Sequence, residues 1–291
     1  MTERLADISA RIEGMHQLSA VVNAIKGIAA ARARAARAQV EAVDRYTAMI
    51  SNAMACSLGS VNTDITQHPS PQEASTATAS GNTGLLLFLA EQGFAGAFSE
   101  RVLDSVGDVL ASVPLLVIGT RGLSITATRG LTPLWSASMP SHSLGIPTLA
   151  DDITHVIYAA LSNGDIDRLE IVHARWSSGQ PQVERRLLLP IEPQDIVAPD
   201  HGTTGDSPLM QLPRDTLLAS LGQDYVHARI CKAALHAFAA ENEARMEAMS
   251  SAANQIESEL EDFKAKLRQV RQESITAEII ELGTGAAAGN P

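Results

Sequence analysis

Aromatic residues, cysteine and basic charge are scarce in this sequence, and each shortage excludes a class of protein. Phe, Trp and Tyr supply only 3% of the 291 residues although 45% are hydrophobic, a balance that suits alanine-rich helices better than a large globular core. The net charge of −11 argues against general nucleic-acid binding. Cys56 and Cys231 lie far apart and in no CxxC spacing, which indicates reduced packing residues in a cytosolic protein.

Long apolar runs and targeting signals are also missing. The longest runs, at 85–90 and 115–118, are far below the roughly 18 residues of a membrane span. The start, MTERLADI, carries acidic residues where a secretory or transit peptide has none. We therefore expect a soluble chain, one that can still work beside a membrane.

The known catalytic motifs are missing as well. Gly93 and Gly96 follow a predicted strand, but they lack the third glycine and the acidic residue of a dinucleotide site, and no GxxxxGK[ST] occurs. Histidines such as His142, His155 and His173 show no metal-ligand spacing, and there is no GxSxG nucleophile elbow. The sequence predicts no catalytic site, no metal and no cofactor.

The C-terminal stretch has a strict helical periodicity of apolar residues, and no proline occurs from Arg214 to Asn290. Apolar or small residues recur at alternating steps of three and four, which is the pattern of a coiled-coil seam. The seam positions are Met246, Met249, Ala253, Ile256, Leu260, Phe263, Leu267, Val270, Ser274 and Ala277. A continuous helix from Asp215 to Leu282 would be about 100 Å long, so we expect it to extend beyond the globular part of the chain and to need partner helices.

Residues 3–58 predict a second long helix. Its seam runs through Leu5, Ile8, Ile12, Met15, Leu18, Val22, Ile25 and Ala29. The small side chains from Ala29 to Ala38 would let a partner helix approach closely. Lys26, Arg32, Arg34 and Arg37 form a basic band in a stretch without acidic residues. A solvated helix face is the simpler interpretation of this band, and contact with an acidic partner is the alternative.

Between these two helices the hydrophobic pattern predicts alternating short strands and helices. Buried-strand patterns at 84–90 and 114–119 flank a helical pattern at 94–110, which is typical of a parallel α/β unit. A helix at 149–161 and a strand pair at 167–189 follow. Because this segment joins the end of the first helix to the start of the last, the two helices must run antiparallel. We predict an α/β fold with long helices, an antiparallel coiled coil of the N- and C-terminal helices plus a small Rossmann-like α/β domain.

The predicted division follows the changes in composition. It comprises an N-terminal coiled-coil helix at 1–58, a Ser/Thr/Pro-rich linker at 59–83, the central α/β domain at 84–190, a Pro/Gly-containing linker at 191–213, the C-terminal coiled-coil helix at 214–285 and a tail at 286–291.

Several of these stretches resemble one known family. The segments AENEARMEAMSSAANQ and VRQESITAEIIELGTGAAA near the C-terminus are similar to the last helix of the gamma subunit of F-type ATP synthases. The N-terminal stretch RIEGMHQLSAVVNAIKGIAAARARAAR is similar to the first helix of that family. AEQGFAGAF resembles a glycine-rich turn of the family with most side chains replaced, and LLLP at 187–190 matches a typical strand end. The similarity covers nearly the whole chain, and the C-terminal motif is its most specific part.

The resemblance implies a central-stalk rotor, a noncatalytic subunit that couples ion flow through a membrane ring to ATP synthesis or hydrolysis by rotation. The implied partners are the alpha and beta subunits, the epsilon subunit and the ring of c subunits, on the cytoplasmic side of the bacterial inner membrane, and the tip from Ile275 to Ala288 would turn in an apolar collar. The implied rotor–stator contacts are Ile25, Lys26, Arg32, Arg34, Arg37, Arg245, Arg271, Gln272 and Thr276.

Some positions depart from the usual pattern of the family. Glu13, His16, Ala20 and Asn23 stand where basic residues are usual, and Ile25 replaces the usual methionine. With the altered glycine-rich turn, these differences resemble the alternate F-type branch found as a second synthase in some bacteria. Two other hypotheses are a coiled-coil adaptor with an α/β ligand-sensing domain and a nucleotide-dependent enzyme. A soluble dimer with a small-molecule thermal shift would favour the adaptor, and nucleotide binding by the isolated chain would favour the enzyme.

Overall fold

The computed structural model describes residues 2–59, 82–192, 196 and 211–288. Most of the predicted linkers at 59–83 and 191–213, and the end of the predicted tail, lie outside the described residues. The chain divides into two compact units, one formed by Met1–Ala30 with Arg245–Pro291 and the other by Ala31–Ala244.

Two long helices begin and end the described chain, as predicted. Helix α1 spans Thr2–Gly59 and helix α5 spans Arg214–Ala288. In the first unit they pack as an antiparallel coiled coil around Val22, Met249, Ile256 and Leu260. The core of this seam is therefore built from the three- and four-residue periodicity that the sequence shows.

One position of the α1 seam differs from the prediction. Leu18 is 48% exposed, whereas Ser19 is half-buried between Met15 and Val22. Steps of four and then three connect Met15, Ser19 and Val22, and steps of three and then four connect Met15, Leu18 and Val22. Both spacings satisfy a coiled-coil repeat. Hydrophobicity alone favours Leu18 as the seam residue, whereas the orientation of α1 in the structure places Ser19 at that position.

The second unit contains a five-stranded sheet in the order β3-β2-β1-β4-β5. Strands β1 (Thr83–Phe88), β2 (Leu115–Ile118), β3 (Trp135–Ala137) and β4 (Arg168–Ser177) are parallel, and β5 (Gln180–Leu189) pairs antiparallel with β4. The β4–β5 turn is Ser178-Gly179, in which both residues have positive φ. That geometry is a type I′ turn, which matches the twist of a two-residue hairpin.

Three helices connect the parallel strands. Helix α2 spans Phe98–Val106 and continues as a 3-10 helix over Gly107–Ala111, α3 spans Thr120–Thr128, and α4 spans Ile146–Asn163 after a 3-10 turn at Ser143–Gly145. The helix predicted at 94–110 is shorter because positive φ angles at Phe94, Gly96 and Gly107 end the regular helix on both sides. Helix α4 ends after Asn163, and Gly164 adopts the left-handed conformation in which glycine commonly terminates a helix.

Helix α3 and strand β3 are not among the elements predicted from the sequence. Helix α3 has the sequence TRGLSITAT, which is rich in β-branched and hydroxyl residues of low helix propensity. Strand β3 has only three residues. Both elements depend on contacts with the rest of the sheet rather than on local preference.

The sheet is covered on both faces, and the alternation of β1 shows how. Leu86 and Phe88 point into a core with α4 and the first part of α5, while Leu85 and Leu87 point into a core with α2 and α3. Since all four side chains are completely buried, β1 is the central strand of a two-sided core.

Candidate functional site

The C-terminal part of α5, in the first unit, exposes both polar and apolar side chains. Arg271, Gln272 and Thr276 are exposed, and the Thr276 hydroxyl donates to the backbone oxygen of Gln272 at 2.8 Å. Among the side chains that the structure describes, none accepts a hydrogen bond from the Arg271 guanidinium or the Gln272 side-chain amide. Ile275, Ile279 and Ile280 on the same stretch are 56%, 62% and 60% exposed. Exposed apolar groups of this size next to each other mark an interaction surface.

The basic band predicted on α1 is only partly available to a partner. Arg32 donates from Nη1 to Oε1 of Gln92 at 3.3 Å. Nη2 of Arg37 lies 2.5 Å from Oε1 of Glu243, whose side chain is 8% exposed. In the same unit Arg34 is exposed. The structure thus uses part of the positive charge to hold α1 against α5.

The remaining predicted contact residues are buried or half-buried. Ile25 packs at the edge of the coiled-coil core, and Lys26 beside it is half-buried. Arg245 is only 5% exposed. Their side chains offer less surface to a partner than Arg271 and Gln272 do.

Sequence reasoning missed a carboxylate network at the end of the parallel strands, in the second unit. Glu241 of α5 is 3% exposed, and its two carboxylate oxygens accept hydrogen bonds from the backbone N–H groups of Glu91 and Gln92, each at 3.1 Å. The Glu91 carboxylate in turn accepts from Thr120 N–H at 2.9 Å, Thr120 Oγ1 at 2.7 Å and Met139 N–H at 2.8 Å. Glu91 follows β1, Thr120 follows β2 and Met139 follows β3.

This network occupies the positions where related α/β folds bind phosphate. A loop after a parallel strand and the N-terminus of the following helix are the usual anion sites. Here the loop N–H groups bind Glu241, and the N-terminus of α3 binds Glu91. The chain's own carboxylates fill these sites, which agrees with the missing nucleotide motifs of the sequence. The only sequence signal is an acidic residue directly after a buried strand.

In the part of the chain that the structure describes, no group of three or more His, Cys, Asp or Glu side chains could hold a metal ion. None of the helices in the described ranges has an apolar stretch long enough to cross a membrane.

Comparison with known proteins decides between the hypotheses. A family model described as ATP synthase matches residues 4–288. The chain belongs to this ATP synthase family. The ATP synthase gamma chain of Frankia casuarinae is 27% identical, with 99% of this chain and 98% of the relative covered. That of Chlorobium luteolum is 26% identical, with 98% of each covered.

Solved structures agree on the fold. A chain of the rotor of Euglena gracilis mitochondrial ATP synthase gives a TM-score of 0.60 at 15% identity and covers 94% of this chain and 100% of its own length. A chain from the OSCP/F1/c-ring part of the same enzyme gives 0.62 at 15% identity, with 99% and 95% covered.

The family fixes the general role. The chain is a central-stalk subunit of an ATP synthase complex, and it is noncatalytic because catalysis in this enzyme belongs to the beta subunits. Gamma chains are peripheral components of the complex. The adaptor hypothesis is not favoured.

Proposed function

We propose that the chain is the rotating shaft that couples ion flow through the ring of c subunits to ATP synthesis or hydrolysis in the hexamer of alpha and beta subunits. The coiled coil of α1 and α5 supports this proposal, because a continuous apolar core resists bending and twisting. A stiff, asymmetric rod presents a different face to each surrounding subunit and so favours a different conformation in each.

The stretch with Arg271, Gln272 and Thr276 is the proposed main contact with the beta subunits. The observation that carries this proposal is an exposed guanidinium and amide beside exposed isoleucines. A guanidinium and an amide are suited to carboxylates of an enclosing protein, and Ile275 and Ile279 would contact the proposed apolar collar. Burial of the isoleucines by that collar would remove an apolar surface that is unfavourable in water.

The other predicted contacts take secondary roles in this proposal. Lys26, Arg32 and Arg34, with Ile25 beside them, would pass acidic segments of the beta subunits. Arg37 and Arg245 would act mainly within the chain, since Arg37 is paired with Glu243 and Arg245 is buried.

The α/β domain at 84–190 is proposed to contact the epsilon subunit and the ring of c subunits on the cytoplasmic side of the bacterial inner membrane. Its support is the family membership, together with the absence of a membrane-spanning helix among the described residues. The coupling ion does not touch this subunit in the proposed arrangement.

The contact with the beta subunits can be tested in the assembled complex. The double variant Arg271→Ala with Gln272→Ala should lower the turnover of ATP hydrolysis roughly tenfold, in line with the loss of a charge-assisted hydrogen bond. Assembly should be retained, because neither side chain packs in the coiled-coil core. The matched control is Lys264→Ala with Arg268→Ala, two exposed basic residues on the same helix. Unchanged turnover in the first variant, or an equal loss in the control, would count against the assigned contact.

A further inference from the structure

Helix α5 packs against the sheet through larger apolar side chains first and through alanine near the strand ends. Within the second unit its buried apolar residues in the two sheet cores are Val226, Ile230, Cys231, Ala233, Ala234, Leu235, Ala237, Phe238, Ala239, Ala240 and Ala244. On either side of Glu241 these residues are Ala239, Ala240 and Ala244. Small side chains allow a close approach of helix and sheet but interdigitate little, so a directional contact contributes most to the helix position in this part of the interface.

Glu241 supplies the strongest directional contact between α5 and the strand ends in the described residues. Its side chain is almost fully buried and binds two successive backbone N–H groups with both oxygens. Hydrogen bonds to an ionised carboxylate are about twice as strong as neutral ones. Burial protects them from competition by water.

Glu91 extends this contact across the sheet. Its backbone N–H binds Glu241, while its carboxylate binds groups that follow β2 and β3. The set Glu241, Glu91, Gln92, Thr120 and Met139, here named the carboxylate relay, therefore joins α5 to the ends of three neighbouring parallel strands. All of its members lie in the second unit.

We infer that the carboxylate relay fixes α5 to the α/β domain, so that torque on the sheet turns the helix without slippage. Glu241 acts as a positioning residue, since it holds backbone groups of the rotor and contacts neither substrate nor stator. This inference rests on the proposed coupling by rotation. Without the relay, the apolar interface would remain assembled, but the part of α5 that carries Ala239, Ala240 and Ala244 would shift against the strand ends under torque.

The experiment uses the membrane-embedded complex with Glu241→Ala or Glu241→Gln. The control is Glu247→Ala, an exposed acidic residue of the same helix. Two quantities are measured: hydrogen exchange of the backbone amides at 90–93, and the number of ions pumped per ATP hydrolysed. Loss of hydrogen bonds to a buried carboxylate should speed exchange at Glu91 and Gln92 about tenfold or more. Glutamine keeps one acceptor oxygen at nearly the same volume, so its effect should be intermediate.

The expected result is faster exchange at 90–93 together with fewer ions pumped per ATP hydrolysed. Both changes should be larger for Glu241→Ala than for Glu241→Gln, and neither should occur in the Glu247→Ala control. ATP hydrolysis without an opposing ion gradient should continue in all variants. Unchanged exchange would overturn the contact itself. Faster exchange with an unchanged pumping ratio would overturn its role in torque transmission. If the alanine variant does not assemble, the glutamine variant decides by the same two criteria. Failure of the proposed stator contact is distinguishable, since Arg271→Ala with Gln272→Ala changes hydrolysis and leaves exchange at 90–93 unchanged.

Discussion

Nη2 of Arg37 on α1 lies 2.5 Å from Oε1 of Glu243 on α5. The Glu243 side chain is 8% exposed and that of Arg37 is 51% exposed, so the carboxylate depends on the guanidinium for its charge partner. Removal of the Arg37 guanidinium would leave the Glu243 carboxylate buried without this ion pair, and a buried charge that loses its partner destabilises the fold.

We predict that Arg37→Ala lowers the free energy of unfolding of the chain by about 1–2 kcal/mol, a value reduced for the partial exposure of the pair. The contrasting variant is Arg11→Ala, whose ion pair with Asp7 has side chains 62% and 64% exposed. That variant should change stability by less than about 0.5 kcal/mol. Urea denaturation of the purified chains measures both, and equal effects would refute the assigned importance of burial.

A buried histidine pair predicts acid sensitivity. The rings of His173 on β4 and His236 on α5 stack with centroids 5.9 Å apart, and Nδ1 of His173 is buried without a hydrogen-bond partner in the described residues. Burial, reinforced by His236, lowers the pKa of His173 from 6.5 to about 4, although Glu184 opposes the shift. Burial also lowers the pKa of His236.

The sign of the effect follows from proton binding. Between pH 6.5 and about pH 4 the unfolded chain binds a proton at His173 that the folded chain does not bind. The free energy of unfolding is therefore highest above pH 6.5 and decreases as the pH falls, by about 3 kcal/mol when the pH reaches about 4. His173→Leu should flatten this dependence in urea titrations above and below pH 6.5; an unchanged slope would contradict the assignment.

Two glycines should respond to alanine in opposite directions. A Cβ at Gly122 in α3 would lie 2.1 Å from Cβ of Leu89, whereas a Cβ at Gly14 in α1 would meet no atom within 4 Å. Gly122→Ala should destabilise the chain by about 3 kcal/mol through overpacking. Gly14→Ala should stabilise it by about 1 kcal/mol through helix propensity. Denaturant midpoints provide the comparison, and destabilisation by both changes would contradict the open space at Gly14.

The two thiols should differ in reactivity. Cys231 is buried and burial raises its pKa from 9.0 to about 12, which lowers its reactive thiolate fraction about a thousandfold. Cys56 is only partly buried. In the Cys56→Ser variant a thiol reagent should label Cys231 only at the rate at which the chain unfolds, and readily in denaturant. Rapid labelling in native buffer would show that Cys231 is accessible.

Sequence reasoning predicted well where the signal is repetitive. The seams of α1 and α5 repeat over many turns, and the strands around Leu86 and Leu116 are continuous apolar runs. Helix α3 and strand β3 were missed because one has low intrinsic propensity and the other is very short. The basic band on α1 was recognised as charged, but its periodicity says nothing about Arg37 having an internal partner.

The sequence by itself determined that two long helices carry apolar seams and that a parallel α/β segment lies between them, because helix and strand periodicity are local properties of the chain. Only the tertiary structure decided how charge is used. Glu91 and Glu241 are 150 residues apart and Arg37 and Glu243 even farther, and no local pattern specifies a pairing at such a distance. These pairings depend on which carboxylates become buried beside donors when α5 packs on the sheet, and that is a property of the fold.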